Sequence, residues 1–137
     1  RCWKYEVVDD FIVLHIANAV QPDSPFTDMR RLSSDLLRLL EDAKVLHPHQ
    51  TRVRCVTWLN GLPVFLKLFP DIWSATLTTT KEIGSGLGIW GQYIDRRGAF
   101  NHKNGQKFRE TGHHPFFLVA GQCGYNEAVD HLSRTIF

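Results

Sequence analysis

The chain begins with apolar and polar residues in alternation, a pattern typical of a β-strand. In residues 3–8 every second side chain is apolar: Trp3, Tyr5 and Val7. The polar pair Asp9-Asp10 then indicates a tight turn, so we expect two antiparallel strands. The second strand, residues 11–17, is apolar on both faces apart from His15, which predicts a position inside the sheet with both faces covered.

Residues 29–46 change to a helical period. Apolar side chains recur every three or four positions and form one stripe: Met29, Leu32, Leu36, Leu39, Leu40, Ala43 and Leu46. Charged residues lie mostly off this stripe, so we predict an amphipathic helix from Met29 to Leu46 that covers the sheet. Either Thr27 or Asp28 is suited to cap its first turn.

The remaining segments alternate between strand and helix patterns. Strands are predicted at 51–59, at 74–80 near a sheet edge, and at 115–120, where PFFLVA is apolar on both faces. Helices are predicted at 62–69, 89–96 and 126–134, with a turn at 71–73 and a glycine-rich loop at 81–88. Asn101 is suited to cap a further helix that runs to Thr111 and ends at Gly112.

Interspersed strands and helices in a chain of 137 residues predict one domain with a substantial core. The expected fold class is α+β or α/β. We predict a single globular domain, residues 1–137, in which a mixed sheet of about five strands packs against several helices.

Composition narrows the classes of protein to consider. The formal net charge of +2 argues against a dedicated nucleic-acid-binding domain, which usually carries a pronounced basic stripe. The apolar runs are shorter than the roughly 18 residues that span a bilayer, so no membrane partner is expected. Three widely spaced cysteines, Cys2, Cys55 and Cys123, do not suggest a disulfide framework and favour a reducing, cytoplasmic (intracellular) location.

Polar and titratable side chains concentrate in Gly84–His114, which holds seven of the ten glycines. The sequence GSGLG before a predicted helix is suited to hold a carboxylate or phosphate on its backbone N–H groups, although close packing of the loop also explains these glycines. The segment matches neither nucleotide-binding glycine motif, so no nucleotide cofactor is expected. HExxH, paired CxxC and GxSxG motifs do not occur, so neither a metal site nor a serine hydrolase is predicted.

General acid–base catalysis is the reaction class that these residues favour. The candidate catalytic residues are His15, Asp95, Arg96 and His102. We expect either histidine to transfer a proton, the aspartate to orient that histidine, and the arginine to bind an anionic or carbonyl oxygen. The candidate substrate-binding residues are aromatic and amide side chains: Asn18, Trp58, Asn60, Trp90, Gln92 and Tyr93.

Two functions are consistent with these patterns. The first is a small cofactor-independent enzyme of the isomerase, lyase or cyclase type, acting by acid–base chemistry on a small, partly apolar organic substrate, with a homodimer as one possibility. The alternative is a non-catalytic small-molecule-binding or protein-interaction module. That alternative predicts an exposed apolar patch, which would include Trp3, Trp73 or Phe137, in place of an enclosed pocket.

Overall fold

The computed structural model describes residues 1–80 and 87–137 of the chain, with side chains for 1–80 and 89–137. Its strands are β1 (Trp3–Val8), β2 (Phe11–Ile16), β3 (Arg52–Thr57), β4 (Thr78–Thr79) and β5 (Val119–Gly124). They form a mixed sheet in the order β1-β2-β3-β5-β4, in which β2 and β3 are parallel and the other neighbours antiparallel. This arrangement confirms the predicted α+β fold.

The helices are α1 (Met29–Leu46), α2 (Pro63–Leu66), α3 (Asp71–Ala75), α4 (Leu87–Trp90), α5 (His102–Thr111) and α6 (Tyr125–Arg134). Short 3₁₀ turns occupy Pro25–Thr27, Trp58–Gly61 and Gly91–Tyr93. The predicted bounds of α1 are confirmed, and the Asp28 carboxylate caps it by accepting the Arg31 N–H at 3.0 Å.

One face of the sheet carries the core. The fully buried strand residues Ile12, Leu14, Val53 and Cys55 lie on this face. Helices α1, α2, α3 and α6 supply the facing apolar side chains: Leu36, Leu40, Phe65, Trp73, Ala128 and Leu132 among others. Trp3 and Trp73 belong to this core, with 4% and 0% exposure, so the predicted exposed patch around these two tryptophans is wrong.

The opposite face of the sheet is only partly covered. Along β2 its side chains alternate with the buried ones, and His15 is 57% exposed in its side chain. The prediction that β2 is buried on both faces is therefore wrong. The reason is that the helices of the core all pack on the other face, as the alternating burial of β2 and β3 shows.

Two further predicted elements differ from the structure. The last strand is β5, residues 119–124, and not 115–120; the Asn60 side-chain amide fixes this position by donating to the Val119 carbonyl oxygen at 2.8 Å. The strand predicted at 74–80 shortens to Thr78–Thr79, although its place at the sheet edge is confirmed. Most of the predicted loop at 81–88, including the GSG of its glycine motif, lies outside the described residues.

Candidate functional site

A tight turn replaces the second half of the helix predicted at 89–96. Helix α4 ends at Trp90, and after the 3₁₀ turn the chain extends at Ile94 and pairs with Phe100. The Asp95 carboxylate accepts the N–H groups of Arg97 and Ala99, at 2.9 and 3.0 Å, and so closes the turn. Gly98 has φ of 83°, a conformation that glycine adopts without strain.

Gln92 ties this region to the rest of the fold and is 1% exposed. Its side-chain nitrogen donates to the carbonyl oxygens of Ile89 and Phe116, at 2.8 and 3.0 Å, while its side-chain oxygen accepts the Phe116 N–H at 2.9 Å. Its backbone oxygen accepts the Asn104 side-chain amide at 2.7 Å. These bonds use every polar group of the Gln92 side chain and hold three segments together.

Helix α5 has the predicted caps. The Asn101 side chain accepts the Asn104 N–H at 3.1 Å, and Gly112 ends the helix with φ of 73°. Gly105, on the buried side of α5, lets the Phe100 ring lie directly on the helix. A Cβ atom at this position would be 2.4 Å from Cζ of Phe100 and 3.4 Å from an Arg109 guanidinium nitrogen.

These elements form an open depression of about 350 Å³, which we call the aromatic cleft. Its lining residues are Trp90, Tyr93, Phe100, Gly105, Phe108 and Arg109. Three of the rings are substantially exposed: Trp90 by 46%, Phe100 by 48% and Phe108 by 39%. In its described lining the cleft is therefore a largely apolar surface with one cationic side chain, that of Arg109.

Tyr93 and His114 form the closest pair of titratable side chains beside the cleft. The Tyr93 hydroxyl oxygen lies 2.6 Å from Nδ1 of His114, and the His114 ring packs against Phe108 with centroids 5.2 Å apart. Desolvation raises the pKa of the Tyr93 phenol above its ordinary value. The phenol is therefore protonated at neutral pH and donates to Nδ1 whenever that imidazole nitrogen is unprotonated.

The four candidate catalytic residues do not meet. His15 lies on the open face of the sheet, 3.3 Å from a Glu6 carboxylate oxygen. Asp95 closes its own turn, and Arg96 is exposed. His102 is exposed and packs edge-on against Phe100. In the described part of the chain no hydrogen bond or ion pair joins any two of these four residues, and none of them lines the aromatic cleft.

Some of the candidate binding residues line the aromatic cleft, and the others form contacts within the fold. Trp90 and Tyr93 line the cleft. Asn60 is buried, donates to the Cys55 and Val119 carbonyl oxygens, and accepts the Trp73 indole N–H at 2.9 Å, so its amide acts within the core. The Asn18 amide donates to the Arg96 carbonyl oxygen at 3.2 Å and thereby joins the segment that follows β2 to the turn. Trp58 packs against Phe116, with centroids 5.3 Å apart.

Sequence reasoning missed four residues of this region: Gly105, Phe108, Arg109 and His114. A signal for the first three existed, because positions 105, 108 and 109 share one face of the predicted helix and a glycine inside a helix often marks close packing. His114 had no local signal. Its position beside Tyr93 depends on the Gln92–Phe116 bonds between segments 24 residues apart.

Comparisons with protein-family models, curated proteins and solved structures found no match to this chain. Across residues 1–80 and 87–137, no cluster of three or more His, Cys, Asp or Glu side chains is placed to hold a metal ion. The helices in the described part of the chain are too short or too polar to cross a membrane. The geometry of the aromatic cleft is thus the observation from which a function is argued.

Proposed function

We propose that this chain is a small-molecule-binding module whose aromatic cleft holds a flat, apolar or aromatic group that carries a negative charge. The observation behind this proposal is the convergence of exposed Trp90, Phe100 and Phe108 rings on one cleft. Leaving apolar surface in water costs roughly 25 cal/mol per Å², so rings that converge while exposed favour a ligand that covers them. Flat groups suit such walls because aromatic rings stack in offset or edge-to-face geometry.

The sign of the ligand's charge follows from Arg109. Its guanidinium group lies at the cleft and forms no ion pair with the described acidic residues. Among the residues that the structure describes, the lining also includes no carboxylate. A carboxylate on the ligand would gain a charge-assisted hydrogen bond from Arg109, whereas a cationic ligand would be repelled.

A series of three ligands of similar shape tests this proposal: 1-naphthoate, 1-naphthalenemethanol and 1-naphthylmethylamine, measured by titration calorimetry. We expect the anion to bind about two- to fivefold more tightly than the neutral compound, because an exposed ion pair contributes modestly. Arg109→Gln should remove this preference. Lys107→Gln, an exposed charge change on the same helix, is the matched control and should retain it. Preference for the amine, or no binding of any of the three, contradicts the proposal.

Acid–base catalysis is a second candidate, favoured by the 2.6 Å contact between Tyr93 and His114. In this proposal the Tyr93 hydroxyl gives its proton to a substrate carbonyl oxygen in the open cleft while a water molecule takes a proton from the adjacent carbon, and His114 then returns a proton to the Tyr93 phenolate. Phenylpyruvate, an aromatic carboxylate with an acidic methylene group, is a suitable probe. Exchange of its methylene protons in D2O should be accelerated by the protein and slowed by Tyr93→Phe. If exchange matches that in buffer alone, the catalytic proposal is wrong while the binding proposal stands.

A further inference from the structure

A second concavity lies on the open face of the sheet. It has a volume of about 320 Å³, and we call it the polar groove. Its lining residues are Arg54, Thr76, Thr78, Thr80, Ala120 and Gln122, none of which lines the aromatic cleft. The pairing of Arg54 with Gln122, and of Thr78 with Ala120, brings strands β3, β5 and β4 together here.

Arg54 is a cation with no carboxylate partner in the part of the chain that the structure describes. Its guanidinium group forms no ion pair with the described acidic residues. Its neighbours on the adjacent strands are Val13 and Gln122, both uncharged, and the described lining of the groove includes no acidic residue. A half-buried guanidinium group in such surroundings favours an anion, because carboxylate and phosphate oxygens match its planar array of donors.

Two of the three threonine hydroxyls in the groove form hydrogen bonds, and the third, that of Thr80, does not. The Thr76 hydroxyl donates to one of two carbonyl oxygens within reach, those of Trp73 and Gln122, and accepts the Gln122 N–H. The Thr78 hydroxyl donates to the Thr76 carbonyl oxygen. The Thr80 hydroxyl oxygen is buried and has no hydrogen-bond partner in the described structure. Buried hydroxyls are normally satisfied, and leaving one unpaired costs free energy. A bound acceptor would satisfy Thr80.

We propose that the polar groove binds an oxyanion, the carboxylate or phosphate group of a small molecule, with Arg54 as its charge partner and the Thr80 hydroxyl as a hydrogen-bond donor. The Gln122 side chain, which forms no hydrogen bond among the described residues, supplies a further amide donor at the same wall. This site is independent of the aromatic cleft, and its proposed ligand needs no aromatic group.

Two NMR titrations at constant ionic strength, one with acetate and one with inorganic phosphate, test the proposal and separate the two sources of oxyanion. We expect saturable shifts of the Gln122 and Ala120 amides with at least one of the anions. Arg54→Gln should weaken that binding about tenfold or more, since hydrogen bonds to charged groups contribute strongly. The matched control is Arg52→Gln, because Arg52 lies two residues away on the same strand and face but outside the groove lining.

Thr80→Val provides a second test that does not depend on charge. Valine removes the unpaired hydroxyl at nearly constant volume, so the free protein should be as stable as the parent or more stable, while the anion binds more weakly. The proposal is wrong if neither titration saturates, if Arg54→Gln binds as the parent does, if Arg52→Gln weakens binding equally, or if Thr80→Val leaves the affinity unchanged.

Discussion

At the scale of single residues, Gly121 and Trp73 determine how the last strand packs. The Trp73 indole is fully buried and donates to the Asn60 side-chain oxygen at 2.9 Å. It lies directly over Gly121 of β5, where an added Cβ atom would be 2.3 Å from the indole nitrogen. A residue with any side chain at position 121 would push the indole away from Asn60 and leave buried polar groups unpaired.

We therefore expect Gly121→Ala to lower the free energy of unfolding by roughly 1–3 kcal/mol, the usual cost of overpacking a core. Urea denaturation followed by circular dichroism measures this change. Gly124→Ala is the matched control on the same strand, since its added Cβ would meet only the flexible end of the Glu127 side chain. Equal midpoints for the parent and Gly121→Ala would show that Trp73 is not packed as described.

Residue identity alone did not predict these contacts. Trp73 lies three residues after Pro70, in a predicted turn, yet it is core, because the five-residue helix α3 turns it toward β5. The burial of Cys123 was likewise not predictable from its neighbours in the sequence. It lies between glycines in the sequence, but it is a buried strand residue, and burial raises the pKa of its thiol to about 12.

At the scale of elements, helices with a long periodic pattern or a clear cap were predicted correctly, whereas some short helices and strands were not. The 18 residues of α1 and the caps of α5 follow from their own sequence. The segment PFFLVA has strand composition, but only its last two residues belong to β5. Residues 115–118 form a connection, in which Phe116 bonds to Gln92 and Phe117 is 60% exposed. The helix predicted at 89–96 ends early because Asp95 and Gly98 form a turn that local apolar spacing does not reveal.

A substitution in helix α5 can change the shape of the aromatic cleft while it leaves the stability of the fold nearly unchanged. Gly105→Ala adds a methyl group that displaces the exposed Phe100 ring. The gain in helix propensity, about 1 kcal/mol, opposes the lost contact, so we expect the free energy of unfolding to change by less than about 1 kcal/mol.

Binding of 1-naphthoate to Gly105→Ala should nevertheless weaken, because Phe100 is a wall of the cleft. Gln106→Ala, an exposed change on the same helix, is the control and should bind as the parent does. Parental affinity in Gly105→Ala would remove Phe100 and Gly105 from the proposed site.

At the scale of the whole molecule, the core lies on one face of the sheet, and two other surfaces, the aromatic cleft and the polar groove, are suited to bind ligands. Helices cover one face of the sheet and form the core, while the open face carries the polar groove. The sheet and the amphipathic helices follow from the hydrophobic patterning. The position of the aromatic cleft does not, because it depends on long-range bonds such as those from Asn60 to Val119 and from Gln92 to Phe116.

Chemical-shift mapping of the labelled protein with 1-naphthoate tests the proposed function most directly, because it reports where the ligand lies as well as whether it binds. We predict that the largest saturable shifts occur at Tyr93, Gly105 and Phe108, with little change in the core of β2 and α6. Shifts confined to the polar groove, scattered without saturation, or missing altogether would contradict the assignment of the aromatic cleft as the binding site.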